Sequence, residues 1–450
     1  MPEIISPTDR AHYAADLDKM RSANGVAAWL RDIRAKGAAG FAETRFPHYK
    51  DEAWRFTDVR PIVNTPFRSN IGASATPVAQ DAVNQFLYAE PDWPQLVFVD
   101  GFFDARLSKI PKTPGLIIVS LAEAARSHEQ SVREHLDKLI DHSSAFTKLN
   151  AAFLQDGAFV HAAKGVKLDA PIHCLFLSTG AKQAASYPRN LFVFDESSEC
   201  SLLETYVGLA DSDYLVNGVT EIHVGPNARV IRHKVVRETS ASYHLDTTQV
   251  RIDRDARFEA FAITLSGRIV RNELCVRFAG PGSECSLNGL YLNDGNRLID
   301  NALYVDHDAP NCRSRMGYKG VLAGESSAVF TGKVYVHRHA QKTDSNQLNN
   351  NLLLSDTAVI DTKPQLEIFA DDVKCTHGAT IGGFPREQLF YFQSRGIGAE
   401  KAHGILTYGF ASEVAGQIEI APLRDWLNKL VYDKYANPTA VIPAKAGIQT

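Results

Sequence analysis

The chain has 450 residues, enough for one large or two to three ordinary domains, and 44% hydrophobic residues to build a core. A formal net charge of -4 leaves no global field that would draw it to nucleic acid or an anionic membrane. No apolar run reaches the roughly eighteen residues of a membrane span, and the start, MPEIISPTDR, lacks the apolar stretch of a signal peptide.

The six cysteines (174, 200, 275, 285, 312 and 375) form no CxxC and no zinc-finger spacing, which points to a reduced, cytoplasmic protein. From Tyr13 to Lys36, apolar residues recur at helical spacing (Leu17, Met20, Ala28, Leu30, Ile33). FPHYKDEAWRFTDVRPI follows, and then PQLVFVDGFFDARLS predicts a short buried strand closed by an Asp-Gly turn. Ser120 to Ile140 returns to helical spacing, with Ser120 as N-cap.

The middle of the chain repeats. KLDAPIHC, FVFDESSECSLL, HVGPNARV, RIDRDARFEA, RFAGPGSECSL, YVDHDAPNC and YVHRHAQK each set an apolar strand end against a polar turn. Anchored on Leu168, Phe194, Val224, Ile252, Phe278, Val305 and Val336, they recur every 26 to 31 residues. Within a phrase the alternation has period two: Val250, Ile252, Ala256 and Phe258 face one way, Arg251, Arg257 and Glu259 the other. Strands with one dry face, repeated at about a coil's length, predict a mainly β fold built on a β-solenoid. Asparagines and glycines at the turns suit amide ladders and positive-φ positions. A large antiparallel sandwich is the alternative.

After Gly382 the period changes again. REQLFYFQSRG predicts a short helix closed by Gly396, and Pro422 opens PLRDWLNKLVYDKY. There Leu423, Trp426, Leu427, Leu430 and Val431 form a helical stripe, which packs inward or takes a partner.

The sequence holds no GxxxxGK[ST], no strand-borne GxGxxG, no HExxH and no GxSxG. Asp195, Asp253, Asp255, Asp306 and Asp308 sit in turn phrases, where their side chains bond nearby backbone. Together these absences argue against a self-sufficient enzyme. Cys375 and His377, in ADDVKCTHGAT, stand two apart, so on a strand both project from one face and could approach one ion. Two ligands do not close a site of about four. The residues alone equally allow a buried small thiol and a hydrogen-bonded imidazole.

QLNNNLLLSDTAVIDTKPQLEIFADDVKCTHGATIGGFPREQLFYFQSRGI resembles the C-terminal signature of the SufB/SufD core family of iron–sulfur cluster assembly proteins. AFTKLNAAFLQDGAFVHAAKGVKLDAPI resembles the start of that family's core, and FPHYKDEAWRFTDVRPI its N-terminal segment. NLLLS and DDVKCTHGAT are similar to the SufD branch. The resemblance implies a right-handed parallel β-helix between an N-terminal α/β region and a C-terminal helical domain. Expected divisions are 1–145 (mixed, mainly helical), 146–385 (β-helix), 386–436 (helical, docking the ATPase) and 437–450 (disordered tail). It implies a non-ATPase scaffold subunit that binds no nucleotide, pairs with a SufB-like paralogue through the β-helix end and docks a SufC-like ATPase. By the same likeness His377, with Cys375 as a second ligand, holds iron or a nascent iron–sulfur cluster shared with the partner subunit. The rival readings are an exported-type β-helix enzyme acting on carbohydrate and a purely structural partner of SufB.

Overall fold

Period-two alternation and a repeat of a coil's length become, in the computed structural model, a mainly β chain wound into a two-sheet solenoid of about eight turns. The structure describes residues 11–22, 27–71, 76–88 and 93–437; apart from Asn437, the tail expected to be disordered lies outside them. One sheet stacks Arg189–Phe194, Leu215–Val224, Tyr243–Ile252, Ile269–Phe278, Leu298–His307, Ser327–Val336 and Val359–Ile368. The other stacks Ile172–Ser178, Glu199–Gly208, Arg229–Arg237, Arg257–Ser266, Glu284–Asn293, Arg313–Leu322, Asp344–Leu353 and Lys374–Gly382. Neighbours within each stack are parallel, so each coil contributes one strand to each sheet.

The true repeat differs from the sequence anchors at two places. Register partners at the strand ends are Phe194, Val224, Ile252, Phe278, His307, Val336 and Ile368. His307, not Val305, occupies the equivalent position, and Ala162 rather than Leu168 pairs with Phe194. A hydrophobic search passes over His307 because the position is filled by a buried imidazole. Its Nε2 bonds Ser314 Oγ across the lumen at 2.9 Å, and burial pushes its pKa down to about 3.

The corners explain the turn residues. Ser197, Asn227, Asp255, Gly282, Asn311 and Lys342, one per coil, take φ between 57° and 76°, the left-handed region that Gly, Asn and Asp enter at least cost. Their backbone N–H groups donate to the next coil, from Asn227 N to Arg254 O and Asp255 N to Pro281 O at 2.9 Å. Between corners the predicted faces hold. Val250, Ile252, Ala256 and Phe258 are buried in the lumen, while Arg251 and Arg257 are exposed. The asparagines of QLNNN are not at a turn: Asn349 and Asn351 lie inside the strand Asp344–Leu353 and alternate into the lumen.

Part of the lumen is ionic. Arg232 Nε donates to Glu204 at 2.5 Å, and Lys234 Nζ lies 2.9 Å from Asp246 and from Asn272 Oδ1, all five side chains buried. Buried charges persist only when paired.

The first coil is covered by Gln95–Val99 and Leu116–Ser120. The first of these turns at the predicted Asp-Gly turn, Asp100 and Gly101 (φ 50° and 88°), into the antiparallel Phe102–Phe103. Ser120 is the N-cap of Leu121–Ser127, accepting from Glu123 N. The N-terminal segment lies on the outside of the first sheet: Trp54 stacks on Arg271 at 3.9 Å, and Thr57 donates to the Asp300 carboxylate that Arg271 also binds. On the outside of the second sheet lie the helices Ala399–Ala415 and Ala421–Val431. The stripe there turns inward. Leu423, Leu427 and Val431 are buried against Phe261, Ile263, Leu290 and Val321, and Trp426 meets Tyr88 edge-on at 5.0 Å with Arg237 over its ring at 4.7 Å. Among the described residues no helix is long and apolar enough to cross a membrane.

Candidate functional site at the open end of the solenoid

The last coil has no successor. Val359–Ile368 and Lys374–Gly382 are the terminal strands of their sheets, each paired on one side only. Apolar side chains stand in solvent at this end: Val359, Phe369 and Ile381 are 51%, 53% and 49% exposed. An uncovered strand edge of this kind is a template for pairing with another chain.

The two edges differ in what they offer. In a parallel ladder one residue bonds its neighbour strand through both N–H and C=O, and the next faces the opposite side. Lys374 N donates inward to Thr343 O at 2.8 Å, so the backbone groups of Cys375, His377, Ala379 and Ile381 face outward. Val359 N likewise donates inward to Ser326 O at 3.0 Å, which puts Pro364 at an outward position. Proline has no N–H to give there. The Lys374–Gly382 edge is uninterrupted; the Val359–Ile368 edge is blunted at its middle.

Both sequence-predicted ligands lie on the uninterrupted edge. Register places Cys375 above Ser345 and His377 above Gln347, both of which fill the lumen, so the two project from the same face at the solenoid's mouth. His377 is exposed, and among the described residues no side-chain hydrogen bond or ion pair engages its ring. Cys375 is half-buried, its sulfur packed against the lumen core. Burial raises its thiol above the ordinary pKa, with the Ser345 backbone pulling the other way. A thiol so placed gives up its proton to a metal more readily than to water, because only the thiolate is a ligand. Among the described residues, no third His, Cys, Asp or Glu joins the pair in an arrangement that could hold a metal ion. Of the other cysteines, 174, 200, 285 and 312 are buried and 275 is half-buried.

Sequence reasoning missed what lies beneath the pair. Ser314 Oγ donates to Ser345 Oγ at 2.8 Å, continuing the bond from His307 to the rung under Cys375. Gln347 Nε2 donates to Gly332 O at 3.1 Å; a Cβ at Gly332 would fall 1.9 Å from that nitrogen, so a side chain there would displace the Gln347 amide. The signal was present in DSNQLNNN, where every second residue is polar on a face the repeat makes internal.

A family model described as "SUF system FeS cluster assembly, SufBD core domain" matches residues 176–410. The chain belongs to the SufBD family. A second model, the SufBD protein N-terminal region, matches residues 12–174. The chain is 30% identical to an iron–sulfur cluster assembly SufBD family protein of Synechocystis, over 88% of this chain and 90% of that one. It is also 30% identical to the iron–sulfur cluster assembly protein SufD of Escherichia coli, over 82% and 85%, and 25% identical to the SufD of Bacillus subtilis, over 73% and 76%. Relatives bearing the SufD name agree with the branch that NLLLS and DDVKCTHGAT resemble, and they leave the carbohydrate-active reading without support.

Proposed function

We propose that this chain is the non-ATPase scaffold subunit of a SUF-type assembly complex. It pairs end-on with a SufB-like paralogue and offers His377, with Cys375, to iron or a nascent cluster bound between the two. The observation that carries this reading is the coincidence of three features on one rung: an uninterrupted strand edge, exposed apolar side chains, and an imidazole and a thiol on the same face. Two ligands fall short of the about four that close a site, and an edge-paired subunit can supply the rest. Iron or a cluster is cargo here, and a neutral imidazole and a thiolate are suited to it.

The ATPase dock falls within residues 386–436, on the helix Arg386–Gln393. The stripe of Ala421–Val431 is spent on the solenoid, whereas Arg386–Gln393 buries none of its residues and holds Phe390 and Tyr391 at 70% and 54% exposure. The nucleotide chemistry belongs to that partner, since this sequence has no phosphate-cradling loop.

The test is His377→Ala in the co-expressed complex. One imidazole is a small part of a subunit interface, so assembly persists while anaerobically measured iron and sulfide content falls sharply. Cys375→Ser falls less if His377 is the main ligand. Full iron and sulfide loading in intact His377→Ala complex ends the ligand assignment.

A further inference from the structure

The stretch FPHYKDEAWRFTDVRP, residues 46–61, lies on the outer face of the first sheet and is anchored by its inner side chains. Phe46, Thr57 and Val59 are buried, and Phe46 and Trp54 meet Phe146 at 5.4 and 5.7 Å. Trp54 and Thr57 hold Arg271 and Asp300, which belong to two successive coils. Between these anchors the stretch reaches the terminal strand Val359–Ile368. Glu52 Oε1 accepts from Lys363 Nζ and, at 3.4 Å, from Gln365 Nε2. Burial raises the Asp361 carboxyl, and the Arg55 guanidinium near it pulls the other way.

Two outward side chains of the stretch have little to cover them. Tyr49 and Phe56, three residues before Glu52 and four after it, are 46% and 43% exposed. With Pro47, Val59 and Arg60 they line a cavity of about 360 Å³, and Arg55 lies over the Phe56 ring at 5.5 Å. Exposed apolar residues are ordinary when scattered. Here they gather at one end of the solenoid, where Leu348, Val359, Ile368, Phe369 and Ile381 are exposed as well.

We propose that residues 47–60 form a lip which, given the end-on pairing proposed above, grips the SufB-like paralogue beside the paired strand. The size of the coil calls for such a flank. A strand of ten residues, as Val359–Ile368 is, runs about 33 Å, and facing sheets stand about 10 Å apart, so the bare end offers roughly 500 Å². A stable, specific interface buries about 800 Å² on each partner. The lip also lies on the sheet whose edge Pro364 interrupts, so side-chain contacts there replace backbone bonds that this edge does not give. Its surface sets the partner's chemistry. A cavity walled by two rings takes an apolar or aromatic side chain, and a guanidinium over one ring keeps N–H groups for a neighbouring carboxylate. Glu52 and Lys363 are 311 residues apart, which is why neither stretch alone announces the contact.

The experiment uses the full chain and its SufB-like subunit, with affinity measured by sedimentation and amide exchange followed in the complex. Tyr49→Ala combined with Phe56→Ala should weaken pairing at least tenfold, with an unchanged thermal melt of the isolated chain because neither ring is buried. Ile110→Ala removes an exposed apolar side chain on the cover of the first coil and should leave affinity as it was. Amides of residues 47–60 should gain protection in the complex. Full affinity in the double variant, or no added protection of residues 47–60, overturns the lip while strand pairing stands. If the unaltered chain does not bind the SufB-like subunit, the pairing and the lip fall together.

Discussion

Replacing Ala379 by proline tests the edge-pairing argument where it is sharpest. The Ala379 N–H faces away from the strand Asp344–Leu353, so the chain's own ladder loses nothing. Gly378 precedes it and tolerates the restriction that proline places on its neighbour. In the proposed heterodimer the change would delete one interchain hydrogen bond, worth about 1 kcal/mol net, and leave a buried carbonyl on the partner unpaired at about 1–3 kcal/mol. The sum, about 2–4 kcal/mol, corresponds to roughly 30- to 1000-fold in Kd. Affinity for the SufB-like subunit is measured by calorimetry or sedimentation, beside a thermal melt of the variant alone. Leu366→Pro, on the edge already interrupted by Pro364, is the matched control and should cost less. Unchanged affinity with Ala379→Pro, the solenoid remaining folded, would refute pairing through this strand.

Other outcomes follow from the same structure. Asp246→Ala strands the buried Lys234 ammonium beside Arg232, and denaturant melts should show a loss of about 3–5 kcal/mol, largely recovered when Lys234→Met is added. Burial holds His173 and His307 at pKa values of about 3 and His233 at about 4. The unfolded chain takes up these protons below about 6.5 and the folded chain does not, so these three groups by themselves lower stability with falling pH by up to about 4 kcal/mol per unit between about 6 and 4; His223, held at about 4, adds to that slope, and Asp156, raised to about 6 by burial, opposes it. Chemical melts across that range check the slope, which His307→Gln should lessen by one proton's share. Phe390→Ala with Tyr391→Ala should abolish capture of the ATPase without moving the melting temperature, because neither ring is buried in this chain; undiminished capture assigns the dock elsewhere.

The sequence by itself determined whatever depends on near neighbours in the chain. Period-two alternation set which side of each strand is dry, and the polar turn phrases marked the corners where one residue per coil takes a positive φ. Ser120 as a cap and the Asp100–Gly101 turn are equally local. Cys375 and His377 could be paired on one strand face for the same reason, since two residues apart is a local relation. Tertiary structure decided whatever requires one coil to find another. Stacking, not hydropathy, made His307 the equivalent of Phe278 and Val336, because a buried imidazole can occupy an apolar rung once Ser314 on the facing sheet accepts its bond. The Ala421–Val431 stripe had two destinations in sequence, and the outer face of the second sheet took it. Asp306 and Asp308 looked like ordinary turn residues until the next coil brought His337 and His339 against them, 31 residues on. A repeat with unequal coil lengths does not announce such contacts. Register is set by the summed fit of every rung, and only the folded chain performs that sum.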